Sequence, residues 1–201
     1  MNLDLAQLAA LAAALGWASG LRLYAAVFIT GAVGYLGWVS LPGGLQILQH
    51  PLVLGASFLM FAVEFVADKI PGVDTVWDAL HTFIRIPAGA ALAAGALGAD
   101  SATVGFIAAL MGGTLAATSH AAKATTRAAA NTSPEPFSNI ALSLLGDAAV
   151  PVMLWLAWQH PFVFWPLLAL ALVLAVVLIV VLFKFLRGLL RRFAPRQPAA
   201  G

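Results

Sequence analysis

Apolar runs separated by brief polar punctuation make up almost the whole chain. The first run covers residues 5–38, more than the roughly 20 residues one straight bilayer crossing needs. Gly16-Trp17-Ala18-Ser19-Gly20 interrupts it, and Arg22 lies near its middle. This predicts one long or interrupted helix, with the Gly16/Gly20 pair permitting a kink or close packing. Leu41-Pro42-Gly43-Gly44 is a turn, and a second run extends from Pro51 to Lys69. Glu64 and Asp68 stand one helical turn apart on it, with Ser57 on the same face. Pro71-Gly72 marks the next turn, and a third run from about Ala79 to Leu97 has His81 and Arg85 in its first turns. Its Ala88–Gly98 segment is nearly all small residues, suited to tight helix contact.

A fourth helix follows the Ala99-Asp100-Ser101 turn. Its Gly112–Asn131 stretch stands out as small residues carrying cations, and it is the element around which the sequence predicts the rest to assemble. At 100° per residue His120, Lys123 and Arg127 fall within about 60° of one another, with Gly113, Ala116 and Asn131 near the same line. A Pro-broken polar loop over 131–136 leads to a fifth run, Phe137–Trp158, with Asp147 isolated in its interior and Pro151 one turn later. The sixth, 161–183, has no charged residue and should face lipid.

Composition turns these runs into membrane spans. The 201 residues are 62% hydrophobic and 9% charged, where soluble domains are about 25% charged. The fold class expected is an all-α polytopic bundle of about six transmembrane helices, one domain over residues 1–187 with a basic cytoplasmic tail at 188–201. Lys184, Arg187, Arg191, Arg192 and Arg196 lie beyond the last apolar run and supply half the ten Lys/Arg. They are a topology signal and a contact for anionic headgroups of the bilayer, with no nucleic acid implied. Six passes counted back from that tail put both termini in the cytoplasm and the 39–49 and 99–101 turns outside. The start of the chain has no basic residue before its apolar run, which argues against a cleaved signal peptide. Small-residue faces suggest a homo-oligomer.

Six spans divide into three and three of opposite orientation, the arrangement of inverted-repeat transporters. Small residues with a mid-helix cation recur in the first helix of each half (Arg22; His120/Lys123), and an acid before a proline in the second (Asp68 to Pro71; Asp147 to Pro151).

An ionisable side chain at membrane depth costs about 2.5–3.5 kcal/mol on insertion scales, so it marks function or pairs with another. Here Arg22, Glu64, Asp68, Arg85, His120, Lys123, Arg127 and Asp147 all qualify. They form either a closed salt-bridge core or the lining of a wet cavity. Glu64 and Asp68 read as partners of Arg22 or Lys123, or as a carboxylate pair that takes up a proton or cation. Asp147 reads as a coupling carboxylate, His120 as a proton relay or a hydrogen-bonded core histidine. Asn139 reads as a helix cap or ligand contact. Hydrolase, zinc-protease and phosphate-loop motifs are missing and there is no cysteine, so no enzyme, metal or cofactor is expected.

Three polar signatures carry a family resemblance: Glu64-Phe-Val-Ala-Asp-Lys-Ile-Pro-Gly-Val-Asp74 with Trp77-Asp78 and His81; Ser119-His-Ala-Ala-Lys-Ala-Thr-Thr-Arg127; and Asn131-Thr-Ser-Pro-Glu-Pro-Phe-Ser-Asn139. Over residues 5–160 the chain resembles the domain-of-unknown-function 4126 family of small bacterial integral membrane proteins. The resemblance implies a polytopic fold in a bacterial cytoplasmic (inner) membrane and no particular activity. The function expected is transport or conduction of a small, anionic solute or lipid headgroup. Arg22, His120, Lys123, Arg127 and Asn139 would bind it, and Glu64, Asp68 or Asp147 would take the coupling proton. The alternatives are a non-transporting scaffold with closed ion pairs and an intramembrane lipid-modifying enzyme.

Overall fold

The computed structural model describes residues 3–98, 101–132 and 137–193. Six α-helices follow one another: α1 (Leu5–Tyr35), α2 (Pro51–Ala67), α3 (Val73–Leu97), α4 (Ala102–Ala130), α5 (Phe137–Gln159) and α6 (Pro161–Phe193). A 3₁₀ helix, Gly43–Gln49, precedes α2. Five helices are long and apolar enough to cross a membrane, and there are six candidates if the 3₁₀ helix and α2, bent by 71° to each other, count as one. The molecule is therefore an all-helical membrane bundle, and no strand occurs among the described residues. Of the basic tail expected at 188–201, α6 takes in residues as far as Phe193. Residues 194–201 lie outside the described residues, as do Asp100 and Glu135.

The centre is α1, not the cation-bearing α4. Asp4 caps it, accepting from the Gln7 N–H at 2.8 Å while the Gln7 side chain accepts from the Asp4 N–H at 2.9 Å. Every residue from Ala10 to Gly20 is buried, as befits a helix apolar all the way round. Small residues let its neighbours close in. A Cβ on Gly16 would stand 2.6 Å from the Cα of Gly112 in α4, and one on Gly89 in α3 would stand 2.7 Å from the Ala116 Cβ. Those faces are used inside the chain, so a homo-oligomer would need another surface.

Helix α1 is interrupted, at Arg22 and not at the glycine pair: Arg22 has φ −143° and ψ 72°. The first arm runs antiparallel to α5. Gln7 Nε2 donates to the Trp158 carbonyl at 2.7 Å near the end of α5, while Arg22 donates to the Ser143 carbonyl at 3.0 Å near its start. The second arm turns back. A side chain on Gly31 would strike the Leu48 carbonyl in the 3₁₀ helix, whose Gly44 in turn backs onto Gly95 at the end of α3. Both ends of α1 thus stand at the face where α3 and α5 finish, and Arg22 is the apex of a V. Each arm is only about 20–25 Å long at 1.5 Å per residue.

Helix α6 sets out from that same face and runs beside α4, Ala171–Leu178 lying across a cavity from Ser119–Arg127. Asp4 and the end of α6 consequently lie at opposite faces. The two halves also differ in course, since α4 is uninterrupted where α1 turns back.

Candidate functional site

The apex of α1 is where the polar side chains converge. Leaving helical geometry at Arg22 diverts backbone carbonyls from the regular ladder, and in hydrocarbon no water can satisfy them. Two cations do so instead: Arg85 Nη1 donates to the Gly20 carbonyl at 3.3 Å and Lys123 Nζ to the Leu21 carbonyl at 3.1 Å.

Asp68, at the C-cap of α2, is fully buried and accepts from three cations on two other helices. Arg22 pairs with it from α1; Lys123 Nζ lies 2.8 Å and Arg127 Nη2 3.1 Å from its Oδ2. Asp78 in α3 holds three cations too: Lys123 at 2.9 Å, Arg85 at 3.0 Å and Arg127 at 3.7 Å. Arg85 also reaches Glu64 Oε1 at 2.5 Å, and Arg127 reaches Asp74 at 3.3 Å. On the α5 side, Arg22 Nε lies 2.8 Å from Asp147, whose other oxygen pairs with Lys69 at 2.9 Å. Arg22 Nη2 donates to Ser143 Oγ at 2.8 Å. The network joins five cations (Arg22, Lys69, Arg85, Lys123, Arg127) to five carboxylates (Glu64, Asp68, Asp74, Asp78, Asp147), so it balances. Its most exposed members are Lys69 at 21% and Asp147 at 13%.

Arg22, Asp68, Lys123, Arg127 and Asp147, singled out in the sequence, come together directly. Glu64 joins through Arg85, and with its own guanidinium it does not form a shared carboxylate pair with Asp68. His120 sits between Arg85 and Thr82. Arg85 can only donate, so His120 Nδ1 accepts at 3.4 Å, and Nε2–H then faces Thr82 Oγ1 at 2.7 Å. Thr82 in turn donates to the Asp78 carbonyl at 2.9 Å. Both ring nitrogens are engaged in a neutral tautomer, which suits a positioning role better than neutralising an anion. Asn139 is buried at the network's edge, donating to Asn131, which donates to Asp74 and to Thr75.

Arg85, Lys69, Asp74 and Asp78 also belong to the site. Asp74, Asp78, His81 and Arg85 recur at spacings of four, three and four, a single stripe on one helix face. His81 stacks on Trp77 with ring centroids 4.0 Å apart and accepts from the Tyr24 hydroxyl across 3.1 Å. Its Nδ1–H donates to the Trp77 carbonyl at 2.8 Å. Among the described residues no group of His, Asp and Glu is arranged to hold a metal ion.

Against this network lies a cavity of about 400 Å³ between α1, α4, α5 and α6. Arg22, Lys123 and Arg127 stand on its inner wall, and the walls from α5 and α6, among them Leu142, Ala149, Ala171 and Leu178, are apolar.

The sequence model of the family described as Domain of unknown function (DUF4126) matches residues 9–181. No curated protein and no solved structure matches the chain.

Proposed function

The chain belongs to the DUF4126 family, and from that premise we propose that it is a membrane carrier of a small anion or anionic lipid headgroup, coupled to a proton. The observation that supports this most directly is the cavity whose inner wall holds Arg22, Lys123 and Arg127, each paired at the same time with a carboxylate. An anion arriving there competes with Asp68 and Asp147 for the cations. In a balanced network at low dielectric, one added negative charge is costly unless a positive one comes with it. A proton on Asp147 meets that need: Asp147 becomes neutral, loosens its hold on Arg22 Nε, and the freed guanidinium turns to the anion. Asp147 is the least buried carboxylate of the network, and Lys69 beside it borders the exposed edge.

Orientation follows from the distribution of cations. The N-terminal residues, the 36–50 segment and Gln159–His160 contain no Lys or Arg, whereas Lys69, Arg127, Lys184 and Arg187 gather at the opposite face. The positive-inside rule makes that face cytoplasmic in a bacterial inner membrane. With α1 turning back at Arg22, the N-terminus then lies outside, unlike the cytoplasmic placement that six straight passes would give.

Proteoliposomes test the carrier. We expect uptake of labelled inorganic phosphate, or flipping of a fluorescent phosphatidic acid, to exceed that of empty vesicles by about tenfold under a pH gradient. Asp147→Asn should remove the dependence on the gradient. Equal rates in protein-containing and empty vesicles for both probes would sink the proposal. The complete pairing of the ten charges favours a second reading, a non-transporting scaffold, and that null result would support it.

A further inference from the structure

We infer that the occupant of the cavity between α1, α4, α5 and α6 is an amphiphile, with an anionic phosphate or carboxylate head on Arg22, Lys123 and Arg127 and an acyl chain between α5 and α6. This rests on the anion-carrier reading above and narrows it.

The two sides of the cavity differ in chemistry. Cations occupy only the inner wall, supplied by α1 and α4. Across from them α5 and α6 offer Leu142, Leu145, Ala149, Leu174 and Leu178. Leu145, Leu174 and Leu178 are 67%, 52% and 41% exposed, so this rim is part of the outer surface of the bundle. At that depth the outer surface meets lipid, not water, because α6 carries no charge before Lys184. A hydrated anion entering by this route would have to cross an apolar rim. An amphiphile already in the leaflet enters sideways, chain against leucine and head against guanidinium, and desolvates little that is polar.

Small residues on both walls (Gly146, Ala149, Ala171, Ala175) leave width for a chain. The volume of about 400 Å³ falls at the small-ligand end of the usual range of roughly 300–1,000 Å³. A second cavity of about 490 Å³, lined by Leu23, Val27, Val53, Met60 and Leu92 among others, contains no charged side chain and has nothing to hold a head.

The chain has no cysteine, so Ala149→Cys places a single thiol in the cavity. In nanodiscs, the rate of its alkylation by N-ethylmaleimide reports occupancy. Dodecyl phosphate should slow alkylation at least about fivefold when well above its dissociation constant, while inorganic phosphate and dodecanol should not. Leu178→Trp in the same background, which fills the chain's path and leaves the cations in place, should abolish that protection with the helical content unchanged. If Ala149→Cys does not fold, Ala171→Cys on the facing helix serves equally.

Equal protection by inorganic phosphate would overturn the amphiphile and leave a soluble anion as cargo. Equal protection by dodecanol would overturn recognition of the head and the anion reading with it. No protection by any probe would overturn the inference whatever the flux assay gives. Protection by dodecyl phosphate alone would uphold it even in a protein that moves nothing across the bilayer.

Discussion

Helices α1 and α6 are the two longest in the bundle, at 31 and 33 residues, and they are built in opposite ways. In α1 all of Ala10–Gly20 is buried, yet Ala and Gly make up most of that stretch and the helix carries a guanidinium at its centre. In α6 Leu, Val and Phe predominate, and over residues 161–188 only Phe164, Leu168 and Ala175 are buried. Most of the larger apolar side chains of α6 lie outside, and most of those buried in the first arm of α1 are small. Lipid tails are as apolar as leucine, so burying leucine against protein gains little, and helices associate through close van der Waals contact and polar pairing. Helix α1 uses both, glycines along its first arm and charges at its apex. Helix α6 needs neither, because its main neighbour is the bilayer.

Substitutions can break or sharpen that contrast. The largest effect is expected at the apex. Asp68→Ala strips one carboxylate from Arg22, Lys123 and Arg127 together, and removing one partner of a buried pair costs about 3–5 kcal/mol. Thermal unfolding in detergent should show a large fall in Tm, and a fall no greater than that of an α6 surface variant would mean the charges do not hold α1 in place. Gly16→Leu comes next. Its side chain meets the Gly112 backbone, and overpacking of this kind costs about 1–3 kcal/mol. Lys69→Gln removes a partly exposed partner of Asp147 and should cost about 1 kcal/mol or less. At the bottom, Val177→Leu on the lipid face of α6, where Val177 is 50% exposed, should stay within about 0.5 kcal/mol. If Val177→Leu matched Gly16→Leu, the division between a packed centre and a lipid-facing helix would be wrong.

Part of this arrangement is legible in the sequence. The 100° wheel aligns His120, Lys123 and Arg127, and all three do point into the network. Asp147 stands out as a lone mid-span acid, and it meets Arg22. The course of α1 is harder to read, because an apolar run of that length has the same pattern whether it passes through or turns back. Only the later partners, Trp158 for one end and Leu48 for the other, decide it. Asp74 and Asp78 lie just after a Pro-Gly turn and read as loop acids, so the third helix is expected from Ala79. In fact Gly72, at φ 86°, makes the turn itself, and Asp74 Oδ1 accepts the Gly72 N–H at 2.9 Å. The helix therefore starts at Val73 and both acids face inward. The neutral, doubly engaged ring of His120 depends on Arg85 and Thr82 arriving from another helix, which no local pattern encodes.

The V of α1 also bears on how the protein is made. Its first arm and Arg22 leave the ribosome before any of the carboxylates that will hold the guanidinium, and Asp147 is translated only after four more helical segments. Until Asp68 emerges at the end of α2 the nascent apex has no counter-ion and gains nothing by settling at membrane depth, and only Asp147 completes its pairing. Helix α1 is thus made before the partners that fix its apex, and a ribosome stalled ahead of α5 would leave a chain whose centre has not yet closed.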